Sequence, residues 1–314
     1  KTPGPPTPTT SNGEKINAKM NKPQVTLMND GKRLHLHHGP IDIVAEAFGE
    51  KHCVELAYQN VETEFQSLLQ NLVKELPILR CPITTQAKKP IYPVGRRMHD
   101  AVLPFSSNFI TPMAAVAGSV ADHILTCLCR DHRFGKAYVN NGGDIALYLD
   151  ENETFDIAII ENPSNPYKTG HITVSGRDNI HGIATSGMHG RSHSLGIADS
   201  VTVLAQSAAK ADAAATLIAN AVDIPGSPAV IRKPANELTP DSDLGGRLVT
   251  VDLKEIRQGQ IEEAVNRGFT VATKYQKHGL IKAAWISLRG TIKVVAPQAL
   301  NGKLNEASKI QNHQ

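Results

Sequence analysis

The residues with most chemistry to offer lie in an alanine-rich run, Ala208-Ala-Lys-Ala-Asp-Ala-Ala-Ala-Thr-Leu-Ile-Ala-Asn-Ala. Helical spacing sets Asp212, Thr216 and Asn220 on one face. Alanine around them lets backbone or ligand come close. A carboxylate with a hydroxyl oxygen four residues on suits a hard divalent cation such as Mg²⁺, which takes one or two protein oxygens plus phosphate and water. A second reading fits the same residues. Asp212 would be a first-turn carboxylate favoured by the helix dipole, and Thr216 would bond back to the carbonyl one turn earlier. Pattern alone favours this second reading.

Asn140-Asn141-Gly142-Gly143-Asp144 reads as a glycine-rich turn between strands. Its N–H groups would cradle a phosphate or meet a planar ring, although an ordinary hairpin turn has the same composition. The segment Thr185 to Ser194 gathers hydroxyls, two imidazoles, one guanidinium and two glycines. That mixture fits a pyrophosphate or acidic-substrate loop with Arg191 as a bidentate clamp, and equally a solvated loop. Asp241 and Asp243, just before Gly245 and Gly246, are better read as carboxylates capping their own turn than as cation ligands. His35 and His37 share one strand face with no third partner at fixed spacing, so they read as a surface pair. Arg96 and Arg97 read as solvated.

Composition limits the function classes. In 314 residues there are 33 basic and 30 acidic side chains, and aromatics make up only 4%. A dedicated nucleic-acid binder would show a basic face with stacking rings, so none is expected. The longest quiet run, Phe109 to Ala121, has 13 residues and is rich in Ala, Gly, Thr and Ser, short of the roughly 18 uncharged apolar residues of a membrane span. The N-terminal KTPGPPTPTTSNGEK has no apolar signal core, so a cytoplasmic location is expected. The chain does not begin with Met, which leaves room for an upstream segment. Four cysteines without a CxxC pair are expected to be reduced and structural rather than disulfide-bonded or metal-bound.

These residues need elements to hold them. Residues 1–22 are rich in Pro and Thr and read as a flexible tail, as do residues 297–314. Between them, residues 23–296 read as one domain. A hairpin turning at Asp30-Gly31 leads to a strand from Ile41. Leu56, Val61, Phe65, Leu68, Leu69, Leu72 and Leu76 mark an amphipathic helix that Pro77 should stop. Helices are expected from Gly95 to Leu103 and from Pro112 to about Cys129. Short strands then follow to Ala205, a helix from Ser207 to Val222, another from Ile261 to His278, and a last hairpin turning at Arg289-Gly290. Helices and strands mix without regular alternation, which indicates an α+β fold.

In their order, the helix at Ala115-Val-Ala-Gly-Ser-Val-Ala-Asp122, the strand ending in Gly142-Gly143-Asp144, the strand ending in Thr185-Ser186-Gly187 and the Ala211-Asp212-Ala-Ala-Ala-Thr216 helix resemble the ApbE superfamily of flavin transferases. The longer strings resemble the ApbE-like group called uncharacterised protein family 0280. They include Gly39-Pro40-Ile41-Asp42, Phe109-Ile-Thr-Pro-Met, Gly190-Arg-Ser-His-Ser-Leu-Gly-Ile-Ala-Asp199 and Pro240-Asp-Ser-Asp-Leu-Gly245. The resemblance implies an α+β, T-fold-related mixed sheet with packed helices.

It also implies a Mg²⁺-dependent protein binding FAD or a related pyrophosphate or pterin-type ligand. Such a protein would be a flavin transferase, an FAD-cleaving enzyme or a non-catalytic flavin binder. A role in methanopterin-type one-carbon cofactor synthesis is a further reading. Asp212 and Thr216 match the family's metal ligands, which reverses the reading from pattern alone. Thr111, Ala115, Gly142, Gly143, Asp144, Thr185, Ser186, Gly187 and Ser192 would line the cofactor. Arg191 would hold phosphates and His193 would supply a proton. A protein acceptor and a homo-oligomer are both compatible with it. Two departures stand out: Gly118 takes the place of the transferases' lysine, and their His-x-x-Asp-Pro element is replaced by His193-Ser-Leu-Gly-Ile-Ala-Asp199 without the proline.

Overall fold

The computed structural model describes residues 22–131, 133–160, 168–298 and 300. The two expected tails lie almost wholly outside these residues.

Strands β1 (Gln24–Leu27) and β2 (Leu34–His38) form the first hairpin. Asp30 makes the turn by accepting the N–H groups of Lys32 and Arg33 at 2.9 and 3.0 Å, and Gly31 takes a φ of +68°. Strand β3 (Ile41–Phe48) follows, with alternate residues buried. Helix α1 (Lys51–Leu79) lays Val61, Phe65, Leu68, Leu69 and Leu72 into the core. It runs past Pro77 rather than stopping there. Proline falls in the last turn, where its missing N–H removes a single bond, and the fully buried Leu79 anchors the end.

Helix α2 (Pro93–Val102) opens with proline at its first position. A 3₁₀ turn over Pro112–Ala115 leads into α3 (Val116–Leu128). Then come β4 (Lys136–Asn141), β5 (Asp144–Leu149), β6 (Thr154–Ile160), β7 (Lys168–Ser175), β8 (Gly182–Ser186) and β9 (Ser200–Ala205). Helix α4 (Ala208–Ala221) precedes β10 (Val230–Pro234), the short α5 (Ala235–Leu238) and β11 (Leu248–Leu253). Helix α6 (Gln258–Lys277) and the hairpin β12 (Ala283–Leu288) and β13 (Thr291–Val295) complete the described chain.

One nine-stranded sheet runs in the order β1-β2-β3-β4-β5-β8-β9-β12-β13. The α+β expectation holds. Each neighbouring pair runs antiparallel, a finer point than the mixed sheet expected. Helices cover one face in two apolar clusters, one around α1 and α3, the other around α4 and α6. The β6–β7 hairpin covers part of the opposite face over Leu147, Ile183, Leu204 and Trp285. The β10–β11 hairpin was not expected. Strand β10 carries Arg232, Lys233 and Pro234 and is mostly half-buried, and β11 buries Val249, Thr250 and Leu253, so neither shows a clean two-residue alternation.

The sheet has one weak seam. Strands β5 and β8 are matched at only two positions, Ile145 with Ile183 and Ala146 with Gly182. Beyond them the strands part, and the polar residues of interest lie at that opening.

Candidate functional site

Helices α3 and α4 begin side by side, and each caps the other. Asp122 of α3 accepts the N–H groups of Ala208 and Ala209 at 3.0 and 2.9 Å, at the start of α4. Asp212 of α4 accepts the N–H of Gly118 at 3.0 Å, in the first turn of α3. Helix starts leave such donors unpaired, so a carboxylate there gains both hydrogen bonds and the dipole. Asp212 therefore does not sit in the first turn of its own helix, as one reading supposed; it serves the first turn of its neighbour. Gly118 is where the two backbones meet. A Cβ there would overlap the Ala208 carbonyl, so no side chain fits.

Thr216 lies one turn beyond Asp212. Thr63, Thr126 and Thr270 each bond back to the carbonyl four residues earlier, at 2.9, 2.8 and 2.8 Å. Thr216 does not, and among the described residues its hydroxyl has no partner. Asn220, the third residue of that face, accepts the Leu195 N–H at 2.9 Å and so positions the loop before β9.

Asp144 opens β5 at the seam. Its carboxylate accepts the Thr185 N–H at 3.3 Å, taking a donor that the ladder has let go. Burial pushes Asp144 up to about 7, against the pull of the Thr185 N–H and the Arg191 charge. Burial likewise raises Asp212 well above the usual carboxylate range, and the neighbouring Asp144 charge raises it further. The N–H groups of Gly118 and Ala117 act in the opposite direction. Two carboxylates, the buried Asp144 and the half-buried Asp212, thus share one corner. Beside them, Asn141 donates to the Ala117 carbonyl at 3.1 Å, while its buried Oδ1 has no partner.

The turn between β4 and β5 completes the corner. Gly142 and Gly143 hold φ of +64° and +110°, which only glycine adopts without strain. The Arg191 guanidinium lies against Gly142, in the space a Cβ would fill. Gly143 donates to Asn140 at 2.9 Å. The Thr185 hydroxyl is 2.8 Å from that of Thr202, Ser186 is half-buried, and Gly187 packs on the Asp199 carbonyl.

The structure thus gathers Asp212, Asp144, Thr185, Gly142 and Arg191 at one corner. Other expected residues have different partners. Thr111 is buried; its hydroxyl donates to Asp243 at 2.5 Å and accepts the Met113 N–H at 3.2 Å. Ala115 is fully buried, and Ser192 is exposed. His193 meets the Thr239 hydroxyl at 2.9 Å. The segment from Thr239 onward docks on the helical layer through Asp243 and through Asp241, which pairs with Arg80 at 2.7 Å. Sequence reasoning gave no site role to Asp122 or to Asn141, whose Oδ1 alone is without a partner. Their signal was only contextual: one lies in an alanine-rich helix, the other beside a Gly-Gly turn.

The donor set fits a hard divalent cation. It offers the Asp212 carboxylate, an unbonded Thr216 hydroxyl and the buried Asp144 carboxylate, whose protonation a cation would relieve.

Comparison with known proteins follows this geometry. A model of the family described as AbpE bacteria matches residues 25–294. A UPF0280 protein of Methanococcus vannielii is 41% identical over 116 residues, covering 35% of this chain and 45% of that protein. A UPF0280 protein of Methanothrix thermoacetophila is 33% identical over 165 residues, covering 52% and 60%. The chain spans about half the length of these curated relatives. Among solved structures, the ApbE protein of Thermotoga maritima aligns with a TM-score of 0.45 at 12% identity, over 91% of this chain and 99% of that one. Flavin transferase ApbE from Vibrio cholerae aligns with a TM-score of 0.36 at 13% identity, over 91% and 100%.

Proposed function

The chain belongs to the family described as AbpE bacteria, and from that premise we propose that it binds Mg²⁺ and a pyrophosphate-bearing ligand of the FAD type at the α3–α4 corner. The observation that carries this reading is the meeting of two carboxylates, the buried Asp144 and the half-buried Asp212 on Gly118, beside the unbonded Thr216 hydroxyl; burial pushes both above the usual carboxylate range, and the Asp144 charge raises Asp212 further. Such a pair is costly without a cation and well suited to one. Asp212 and Thr216 would hold the ion, and when bound it would supply charge neutralisation at a pyrophosphate oxygen.

The chain's own groups do the rest. Asp212 keeps one oxygen on the Gly118 N–H, which fixes the direction of the other. Arg191, laid over Gly142, presents a planar cation to the phosphates from the seam. The backbone at Gly142 and Gly143 allows close approach of a phosphate or ring. Thr185 and Ser186 offer hydroxyls at the end of β8, and His193 is the proton source of this reading.

The reaction would be flavin transfer to a protein Thr or Ser, or cleavage of FAD. A second reading, a flavin or nucleotide binder without transfer chemistry, is supported by Gly118. The α3–α4 contact leaves no room for the lysine that the resemblance places there. Incubating the protein with FAD and Mg²⁺ and weighing the products separates the two. FMN with AMP, or FMN attached to an acceptor, supports the enzyme, and FAD recovered intact and bound supports the binder. Failure to bind FAD or ADP in Mg²⁺ sinks both.

A further inference from the structure

A second cluster of metal-binding side chains lies away from this corner, between α1 and α3. His123 and Cys127 stand one turn apart on α3, both buried at 6% and 2% exposure. Glu64 reaches them from α1, with its side chain 36% exposed. His123 Nε2 lies 2.8 Å from Glu64 Oε1 and 3.9 Å from Cys127 Sγ. The three donor atoms lie within 4.8 Å of one another.

The geometry separates two chemistries. In a thiol–imidazole–carboxylate relay, the carboxylate orients one ring nitrogen while the other serves the thiol. Here a single nitrogen faces both the thiol and the carboxylate. Three donors that converge in this way are placed as ligands of one ion. A tetrahedral zinc, with Zn–S about 2.3 Å and Zn–N about 2.0–2.1 Å, sets sulfur and nitrogen about 3.6 Å apart and nitrogen and oxygen about 3.4 Å apart. To hold such an ion, the nitrogen–oxygen pair would open by about 0.6 Å and the sulfur–nitrogen pair close by about 0.3 Å.

We propose that Glu64, His123 and Cys127 form a binding site for a borderline-soft divalent ion of the Zn²⁺ class, with a fourth position open toward solvent. Sulfur, imidazole and carboxylate donors favour such an ion over Mg²⁺, which takes oxygen. Arg130 Nη2 lies 3.5 Å from Sγ on an exposed arm and can swing aside. Glu64, the partly exposed member, marks the way in. Burial and the Glu64 carboxylate both raise the Cys127 thiol, so binding displaces its proton.

The test is Co²⁺ titration of the reduced, full-length protein, followed by Zn²⁺ competition. One Co²⁺ per chain with a near-ultraviolet thiolate-to-metal band is expected, and Zn²⁺ should abolish the band. Cys127→Ser should remove the band and weaken Zn²⁺ binding by at least about tenfold. Glu64→Gln, at a half-exposed position that tolerates change, should weaken binding while the fold survives. Cys129→Ser and Asp212→Ala should keep the band, which separates this site from the oxygen-lined corner. No band in the wild-type protein, a band that survives Cys127→Ser, or one lost equally in Cys129→Ser overturns the proposal.

Discussion

Asp144 and Asp212 tie the chemistry of single residues to pH. In the unfolded chain Asp144 releases its proton near the usual carboxylate pKa, but in the folded protein it holds it to about 7. Between about pH 4 and 7 the unfolded state therefore binds fewer protons, and stability falls as pH rises. In chelator-treated protein, Asp144→Asn should flatten that fall in a series of thermal melts. An unchanged slope would show that the pair is not responsible. Mg²⁺ affinity should rise over the same range, because binding releases the proton. Asp212→Ala should abolish Mg²⁺ binding by calorimetry with little loss of helical signal. Gly118 is a different case. Its N–H caps onto Asp212 and its missing Cβ admits the Ala208 carbonyl. Gly118→Ala should lower stability by about 1–3 kcal/mol in urea titration, the usual cost of overpacking. Gly118→Lys should disrupt packing rather than gain flavin transfer.

At the scale of elements, the reciprocal caps decide how α3 and α4 sit. Asp122→Ala leaves two buried N–H groups without partners at the start of α4. The expected cost is about 2–4 kcal/mol. Asp122→Asn, which keeps one acceptor oxygen, should cost less, and equal urea midpoints for both variants and wild type would refute the cap. Much of this layer was legible. Apolar spacing along α1 and the Asp30-Gly31 turn depend on near neighbours in the chain, and such signals are carried locally. The β10–β11 hairpin was not legible, because the half-buried β10 with Arg232 and Lys233, and β11 with adjacent buried residues, lack the alternation that betrays a strand. The Asp212–Thr216 spacing was visible as a pattern and Asp144 was marked in its glycine-rich turn, but that Asp144 would meet Asp212 was not visible. Their meeting depends on how β5 approaches α4, a contact no local pattern encodes. Pro77 misled for a similar reason: proline ends helices on average, while burial of Leu79 settles this one.

For the whole molecule, the two-position match between β5 and β8 has a consequence for motion. Strands β1 to β5 form one flank of the sheet, with β1–β3 consecutive in the chain and the β4–β5 hairpin paired to β3 after the helices α1 to α3, and β8, β9, β12 and β13 carry the other flank. Where they join, few ladder bonds hold, and further ties come from Asp144 to Thr185, Asp212 to Gly118, Asp122 to Ala208 and Ala209, and the Leu147 N–H to the His181 carbonyl. Openings there need not unfold either flank, so amide hydrogens along the join should exchange earlier than those in β9 or β12. An ion or ligand seated at the corner would close the join from both sides at once. Exchange at Thr185 and Gly118 should then slow together on adding Mg²⁺ with FAD, although the two amides belong to opposite flanks. Slowing at one amide alone would mean that the corner does not act as a clasp. If both slow, occupancy can be read from how long the two flanks stay shut, without any assay of turnover.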